Sequence, residues 1–530
     1  MVKKVRKLLP GGVSLGGVIL MLGGCASLVF DELSDMREGG GGSAGAGGSA
    51  GAGGSAGDGG SAGNGGSAGN GGSAGGGGSA GNGDALISGA KFGSSDDQIV
   101  YGAALDGDGR VVMAGMTLGT SMQDVGCDNA GKGGLDMFVT WVDPKDMAVQ
   151  CPPSRLLGGL NSDVPFGIAA DPDTGGVGIV GFAMSDFDCG KGALTSGGGR
   201  DVVVAKFVGN GCLWQKSFGD DKDQEGQAIA FDSAGAAYIG GRFKGTLVFE
   251  SPRVNNTNGF DAFIAKLLLA DGTPSWSVHA SGTGDQEVHD IAAPAEDSII
   301  VGGRFSESIT FNIPAPPVTQ DPANDALFVA SLDGKKEVKW LVKIAEGPIG
   351  DSSPISLAVA SDGNIFVAGG FRSRTLFPDQ TKCKLVNETQ AEDAFVAKLN
   401  LAGECQWSRR YGEIDPMLAE HQRAHAIAVD AVLNVYVTGE FHGSISFSAD
   451  HAFQSLGYAD GFVLKLDNAG EHVWSRVIAG TGNESGNAVV LDALGELVYV
   501  AGSFADGPLN FEGGLLTPAS SDVFLAKLPR

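Results

Sequence analysis

The chain has 530 residues, 89 of them glycine, and a formal net charge of −26. Nucleic acid and anionic membrane surfaces both need a basic footprint, so the charge argues against either as a partner. The glycines fall into two populations: one low-complexity tract, and turns spread as an all-β protein needs them.

The N-terminus reads as a targeting segment and is set apart from the fold. Lys3, Lys4, Arg6 and Lys7 precede an apolar run, Leu8–Leu22, that ends in Leu22, Gly23, Gly24 and Cys25. This ending resembles the lipobox of bacterial lipoproteins, which implies cleavage after residue 24 and a diacylglycerol on the Cys25 thiol. Ala26 and Ser27 follow, with no Asp. By the same resemblance, this implies the outer membrane or cell surface, with the lipid as the sole membrane contact. Residues 25–84 then form a linker containing seven copies of GGSAGx. With no large apolar side chain to bury, the linker is expected to be disordered, with a span of roughly 35–40 Å.

From residue 85 to 530 one unit recurs. Its clearest copy is AIAVDAVLNVYVTGEF (Ala426–Phe441), followed by DGFVLKL (Asp460–Leu466) and EHVWSRVIAG. Gly115, Gly181, Gly241, Gly303, Gly369, Gly439 and Gly502 each close an apolar run. Phe243, Phe305, Phe371, Phe441 and Phe504 stand two residues beyond five of them, and Trp214, Trp276, Trp340, Trp407 and Trp474 mark the last segment. Each copy thus offers four alternating segments separated by Gly, Asp and Asn turns, which read as four antiparallel strands. Such units repeated radially are propeller blades. The small-residue first strand suits the crowded centre, and the Trp-bearing fourth suits the rim, where a large ring can cover the next blade.

The chain's ends indicate how the ring closes. The last copy stops at its third strand, DVFLAKL, while Ala85–Gly93 carries the basic-aromatic-Gly ending of a fourth strand. The expectation is therefore an all-β, single seven-bladed β-propeller of four-stranded antiparallel blades, whose N-terminal strand completes the last blade and removes the open edge. The consensus AxAxDxxGNxYVxGxFxG…DAFVAKLxxxGxxxWSRxxG resembles the SBBP-type bacterial β-propeller repeat of secreted and surface proteins. The resemblance implies the fold and an extracytoplasmic setting, but no activity.

Besides Cys25 there are Cys127, Cys151, Cys189, Cys212, Cys383 and Cys405, in pairs 24, 23 and 22 residues apart. Each pair straddles the third strand of its own copy. In an oxidising compartment this register selects three disulfides within blades. No CxxC or CxH spacing supports a metal instead.

Asp97, Asp223, Asp285 and Asp351 stand in the turns entering first strands, with Asp163 and Glu484 one residue off that register and His421 in their place in the sixth copy. They could ring one mouth of the channel and hold a cation or a polyhydroxylated ligand, or each could simply hold its own turn. Asp136, Asp201, Asp261, Asp393, Asp460 and Asp522, ahead of third strands, read as structural. His421, His425, His442 and His451 crowd into the sixth copy, where a metal site is geometrically conceivable and solvated loop histidines are the plainer reading. Asp106–Gly109 and Asp220–Asp223 have the acidic character of calcium loops without the full spacing, so calcium is at most a weak expectation and no cofactor is assigned. There is no nucleophile elbow, Walker loop, HExxH or Asp-box.

These readings lead to a non-enzymatic surface lipoprotein that binds a protein or polysaccharide through the segments between second and third strands, which vary most among copies. An extracytoplasmic polysaccharide hydrolase or lyase working at the channel mouth, or a purely structural envelope component, remain the alternatives.

Overall fold

The computed structural model describes residues 88–530, apart from 94–95, 119–132, 251–253, 312–317, 320–323, 349–354, 373–374, 378–379, 388–390, 414–419, 493–495 and 512–513. Cys25, the linker, Cys127 and Asp351 therefore lie outside the described residues. The described part is a β-propeller. Its one helical element is a single 3₁₀ turn at Thr381–Cys383, and among the described residues no helix is long and apolar enough to cross a membrane.

Numbering the sequence repeats 1 to 7 in chain order, each supplies up to four successive antiparallel strands. In repeat 2 these are Asp163–Ala170, Val177–Ala183, Asp201–Val208 and Gly211–Phe218. The second and third strands are apolar at consecutive positions because each face packs on a neighbouring repeat; Val111–Thr117 and Ile365–Phe371 are buried along their whole lengths. The first strands are rich in Ala and Gly, as their central position requires.

Repeats 1 to 5 each form the body of their own sheet, so five blades stand as separate sheets rather than the expected seven. Repeats 6 and 7 share one eight-stranded sheet. The third strand of repeat 6 is long, His451–Leu466, and Ala459 within it forms a parallel bridge to Asn483 at the head of repeat 7.

The N-terminal strand Ser88–Phe92 pairs antiparallel with the third strand of repeat 7, Phe92 opposite Val523 and Ser88 opposite Lys527. The two ends of the repeat array are thus joined, as the basic-aromatic-Gly ending implied. Hydrophobic clusters lie between successive repeats. Trp141 meets Phe207 edge-on at 5.7 Å between repeats 1 and 2, and Val100 and Met113 of repeat 1 pack with Tyr499 and Val523 of repeat 7. Burial of these seams is the main stabilising term.

The rim follows the tryptophan rule. The indole N–H of Trp214, Trp340 and Trp407 donates to the backbone carbonyl of Leu269, Leu401 and Asn468, respectively, at 3.0, 2.8 and 3.0 Å, each in the next repeat. Each ring lies on a glycine of that turn, Gly272, Gly403 or Gly470, with φ between +71° and +78°. A side chain there would be strained in conformation and would strike the indole.

Two disulfides lie within their own repeats, Cys189–Cys212 and Cys383–Cys405, with Cα separations of 5.8 and 6.2 Å. Cys151 is disulfide-bonded as well. Such bonds belong to an extracytoplasmic protein. Both bridges tie the connection between second and third strands to the fourth strand, helped by Ser408 Oγ donating to the Cys383 carbonyl at 2.8 Å. Changing Cys383 and Cys405 together to alanine is expected to cost about 3 kcal/mol, from the freedom regained by the unfolded loop. Denaturant titration of both forms measures it; equal midpoints would show that the bridge adds nothing.

Candidate functional site

Strand alternation fixes two unlike faces. Turns from first to second and from third to fourth strands share one end of the ring, and on it Asp106, Asp232, Asp430 and Asp467 close tight turns by accepting backbone N–H groups at 2.8 to 3.0 Å. The other end carries the long connections from second to third strands and the entries to first strands.

At that long-connection end, the residues at the entries to first strands make contacts between repeats. Asp223 accepts the backbone N–H of Arg200 at 3.3 Å, and Asp285 that of Phe260 at 2.7 Å. Asp97 accepts the N–H of Ser521 at 3.1 Å and also the Ser520 hydroxyl. His421 Nδ1 accepts the N–H of Glu392 at 3.3 Å. In every case the backbone donor immediately precedes Asp201, Asp261, Asp393 or Asp522 in the preceding repeat. These groups latch neighbouring repeats together, each accepting a backbone N–H across the seam. Asp163 and Glu484 likewise accept N–H groups, from Gly159 at 2.7 Å and Gly480 at 2.8 Å.

Next to each latch is a glutamine absent from the sequence-based expectations. Gln98, Gln224, Gln286 and Gln422 are fully buried, and the amides of Gln224, Gln286 and Gln422 donate to the carbonyls of Lys244, Ser308 and Ser444 at 2.7, 2.9 and 3.1 Å. The dipeptides Asp97-Gln98, Asp223-Gln224, Asp285-Gln286 and His421-Gln422 were the available signal.

One residue further along, a belt of buried ion pairs crosses three repeats. Arg200 meets Glu225 at 2.7 Å, Arg242 meets Glu225 at 2.8 Å and Glu287 at 3.2 Å, and Arg304 meets Glu287 at 2.6 Å and Asp325 at 3.0 Å. Burial would raise the Glu225 carboxyl, but Arg242 and then Arg200 outweigh it and hold it below its ordinary value. Glu287 is held well below its own, with burial opposed by Arg242 and Arg304. Repeat 6 reverses the polarity: Arg423, now on the first strand, bridges Glu392 at 2.6 Å and Glu440 at 3.3 Å.

Beyond the belt, the first strands carry a β-bulge at a common register. The unpaired residues are Tyr101, Phe166, Gln227, His289, His425 and Asn487. The bulge explains the recurring glycine of the second strand. A Cβ on Gly241, Gly303 or Gly439 would lie 1.9 to 2.0 Å from a carbonyl oxygen of the first strand. Since the first strand is the innermost of its blade, the bulged residues stand around the propeller's axis. Those of repeats 1 and 2 meet directly, Tyr101 edge-on to Phe166 at 5.7 Å. Asn487 Nδ2 donates across the ring closure to the Val100 carbonyl at 2.8 Å.

The four histidines of repeat 6 are dispersed. The rings of His421 and His442 are 6.3 Å apart, with Tyr458 4.8 Å beyond His442. His425 is the bulged residue at the axis, and His451 packs at 4.3 Å on His472 instead. Among the described residues no group of three or more His, Cys, Asp or Glu is placed to hold a metal ion. The two calcium-like loops are also spoken for. Asp106 accepts from Asp108 N, Arg110 N and Arg110 Nε at 2.7 to 3.0 Å, and Asp220 from Lys222 N, Gln224 Nε2 and Thr246 N at 2.6 to 2.9 Å. A rim cleft of about 420 Å³ between repeats 5 and 6 contains Arg409 and Arg410, but these pair with Glu471 at 2.7 Å and Asp393 at 3.1 Å.

No family model and no curated protein matches the chain. Among solved structures, it is similar to a protein of unknown function from Dyadobacter fermentans, at 12% identity and a TM-score of 0.36, covering 84% of this chain and 98% of that one. It is also similar to an α-L-arabinanase of Penicillium chrysogenum complexed with arabinobiose, at 10% identity and a TM-score of 0.38, covering 84% and 99%. A gluconolactonase of Xanthomonas campestris is 13% identical with a TM-score of 0.28, covering 62% and 82%. Likenesses at this level carry no argument about the site.

Proposed function

We propose that this protein is a lipoprotein of the SBBP type, anchored through Cys25 at the outer membrane or cell surface, that binds a protein or polysaccharide without transforming it. In this reading the eight-stranded sheet counts as two blades, giving seven, and the long-connection face is the binding surface. The observation that carries it is the contrast between the two faces. One is closed by short Asp-held turns, whereas the other bears long connections that reach into solvent, with Leu456 at 72% and Tyr458 at 66% exposure on the repeat 6 hairpin. Exposed apolar groups occur on the short-turn face too, Val432 among them, so the contrast is one of connection length. Loops of this kind on a rigid scaffold are where recognition is usually placed.

The alternative of a polysaccharide hydrolase or lyase draws on carboxyls such as Asp163, which burial pushes up to about 7, in the range of a general acid. Asp163 is fully buried in a seam, however, where no substrate reaches it.

The test pairs Leu456→Ser/Tyr458→Ser with Val432→Ser, an exposed residue of the short-turn face. Retention on intact envelopes and on immobilised envelope polysaccharide is the readout. The first variant is expected to bind at least about tenfold more weakly and the second normally. Equal retention of all three forms would remove the long-connection face from the proposal.

A further inference from the structure

The rim cleft between repeats 5 and 6 has a volume of about 420 Å³, inside the roughly 300–1,000 Å³ of small-molecule sites. Three segments line it: Arg409, Arg410 and Tyr411 on the fourth strand of repeat 5, the hairpin tip of repeat 6 at residues 446–449, and the turn at residues 470–472. Both arginine side chains stay open to solvent, at 34% and 31%.

Each guanidinium is fixed by carbonyls and keeps charge to offer. Arg409 Nε donates to the Gly470 carbonyl at 3.0 Å and Nη2 to that of Ala469 at 3.1 Å. Its acidic partner, Glu471 at 2.7 Å, is 70% exposed, and such a surface pair has little net worth and yields readily to another anion. Arg410 Nη1 donates to the Val386 carbonyl at 2.8 Å, while Nη2 has no partner among the described residues. Nε of Arg410 lies 3.1 Å from Asp393, whose carboxyl is pushed up to about 7, chiefly by burial and against the pull of Arg410. Asp393 is therefore a weak counter-charge at neutral pH.

Between them stands Tyr411. Its ring is buried and packs on Phe447 at 5.5 Å, and its hydroxyl feels the charges of both Arg409 and Glu471. Burial raises that phenol, so it keeps its proton, yet it makes no hydrogen bond among the described residues. The unspent groups of the cleft are thus donors, set beside an apolar surface from Tyr411 and Phe447. A cation would meet two guanidiniums, and an apolar ligand would leave the donors unanswered. The net charge of −26 favours a ligand with one negative charge over a polyanion or a phosphate dianion.

We propose that this rim cleft binds a single carboxylated sugar residue, a uronate, with its carboxylate on Arg409 and Arg410, an oxygen on the Tyr411 hydroxyl and a C–H face against Phe447. The site goes beyond the long-connection face and does not involve Leu456 or Tyr458.

The test is calorimetry of the intact protein at pH 7 with glucuronate and galacturonate, with their neutral parents glucose and galactose, and with inorganic phosphate. At least one uronate is expected to bind about tenfold or more tightly than its neutral parent and than phosphate. Tyr411→Phe removes only an atom without a partner in the described protein, so the fold is kept, and it should weaken uronate binding about tenfold. Glu471→Gln removes the competing carboxylate and should strengthen it about two- to fivefold. No binding by either uronate, equal binding of the neutral parents, tighter binding of phosphate, or unchanged affinity in Tyr411→Phe would each overturn the proposal. None of these results bears on envelope retention by the long-connection face, which is measured separately.

Discussion

Replacing Glu225 with alanine is expected to destabilise the propeller by about 3–5 kcal/mol, the largest effect of any single substitution considered. The carboxylate is fully buried and is shared by Arg200 and Arg242 at 2.7 and 2.8 Å, so its removal strands buried positive charge across the seam of repeats 2 and 3. Arg242 keeps Glu287, but at the longer distance of 3.2 Å, and Arg200 loses its 2.7 Å pair with Glu225. Removing both ends, as Glu225→Leu with Arg242→Leu, should cost less than Glu225→Ala alone, because no uncompensated charge is left between these two positions. Chemical denaturation of wild type, both single variants and the double variant measures the coupling. Additive losses would show that the belt is a set of independent pairs.

Glu484→Gln is expected to stabilise the protein at pH 9 by about 1–3 kcal/mol and to change it little at pH 5. Glu484 and Asp460 are buried side by side at the seam of repeats 6 and 7, under Gly480. Burial first, and then the hydrogen bond with Asp460, push the Glu484 carboxyl up to about 9. Asp460 is raised too, chiefly by burial. The folded state therefore holds a proton that the unfolded chain gives up near its ordinary pKa of about 4.3. The stabilisation from that proton is complete below the unfolded value and is lost as pH rises toward about 9. A glutamine keeps the hydrogen bond without the titration. Thermal midpoints from pH 5 to 9 should fall in wild type and stay flatter in the variant; parallel curves would place the pH dependence elsewhere.

The strand pattern, the donated N-terminal strand and the disulfides within repeats were legible because each leaves a mark at a fixed register. Trp214, Trp340 and Trp407 cover the next repeat's turn, as their place in the fourth strand implied. The bulge was not legible, since it is an offset of one residue in a strand that otherwise alternates normally. Its trace is the glycine opposite, as in Gly241 and Gly439. The acids entering the first strands were legible, but not their partners: Asp97 serves a backbone N–H 424 residues away, which no local pattern reveals. The ion-pair belt hid for a related reason, since Glu225, Arg242 and Glu287 look like ordinary surface charge until the repeats are stacked. The merger of repeats 6 and 7 into one sheet turns on a bridge at Ala459, which has no side-chain signature.

The central claim is that the propeller binds a protein or polysaccharide through its long-connection face without transforming it. Incubating the intact protein with envelope polysaccharide and recovering both the retained and the free fractions tests it most directly. The account predicts retention that weakens in Leu456→Ser/Tyr458→Ser, with the polymer recovered at its original length. New reducing or unsaturated ends, or retention indifferent to the Leu456→Ser/Tyr458→Ser change, would contradict it.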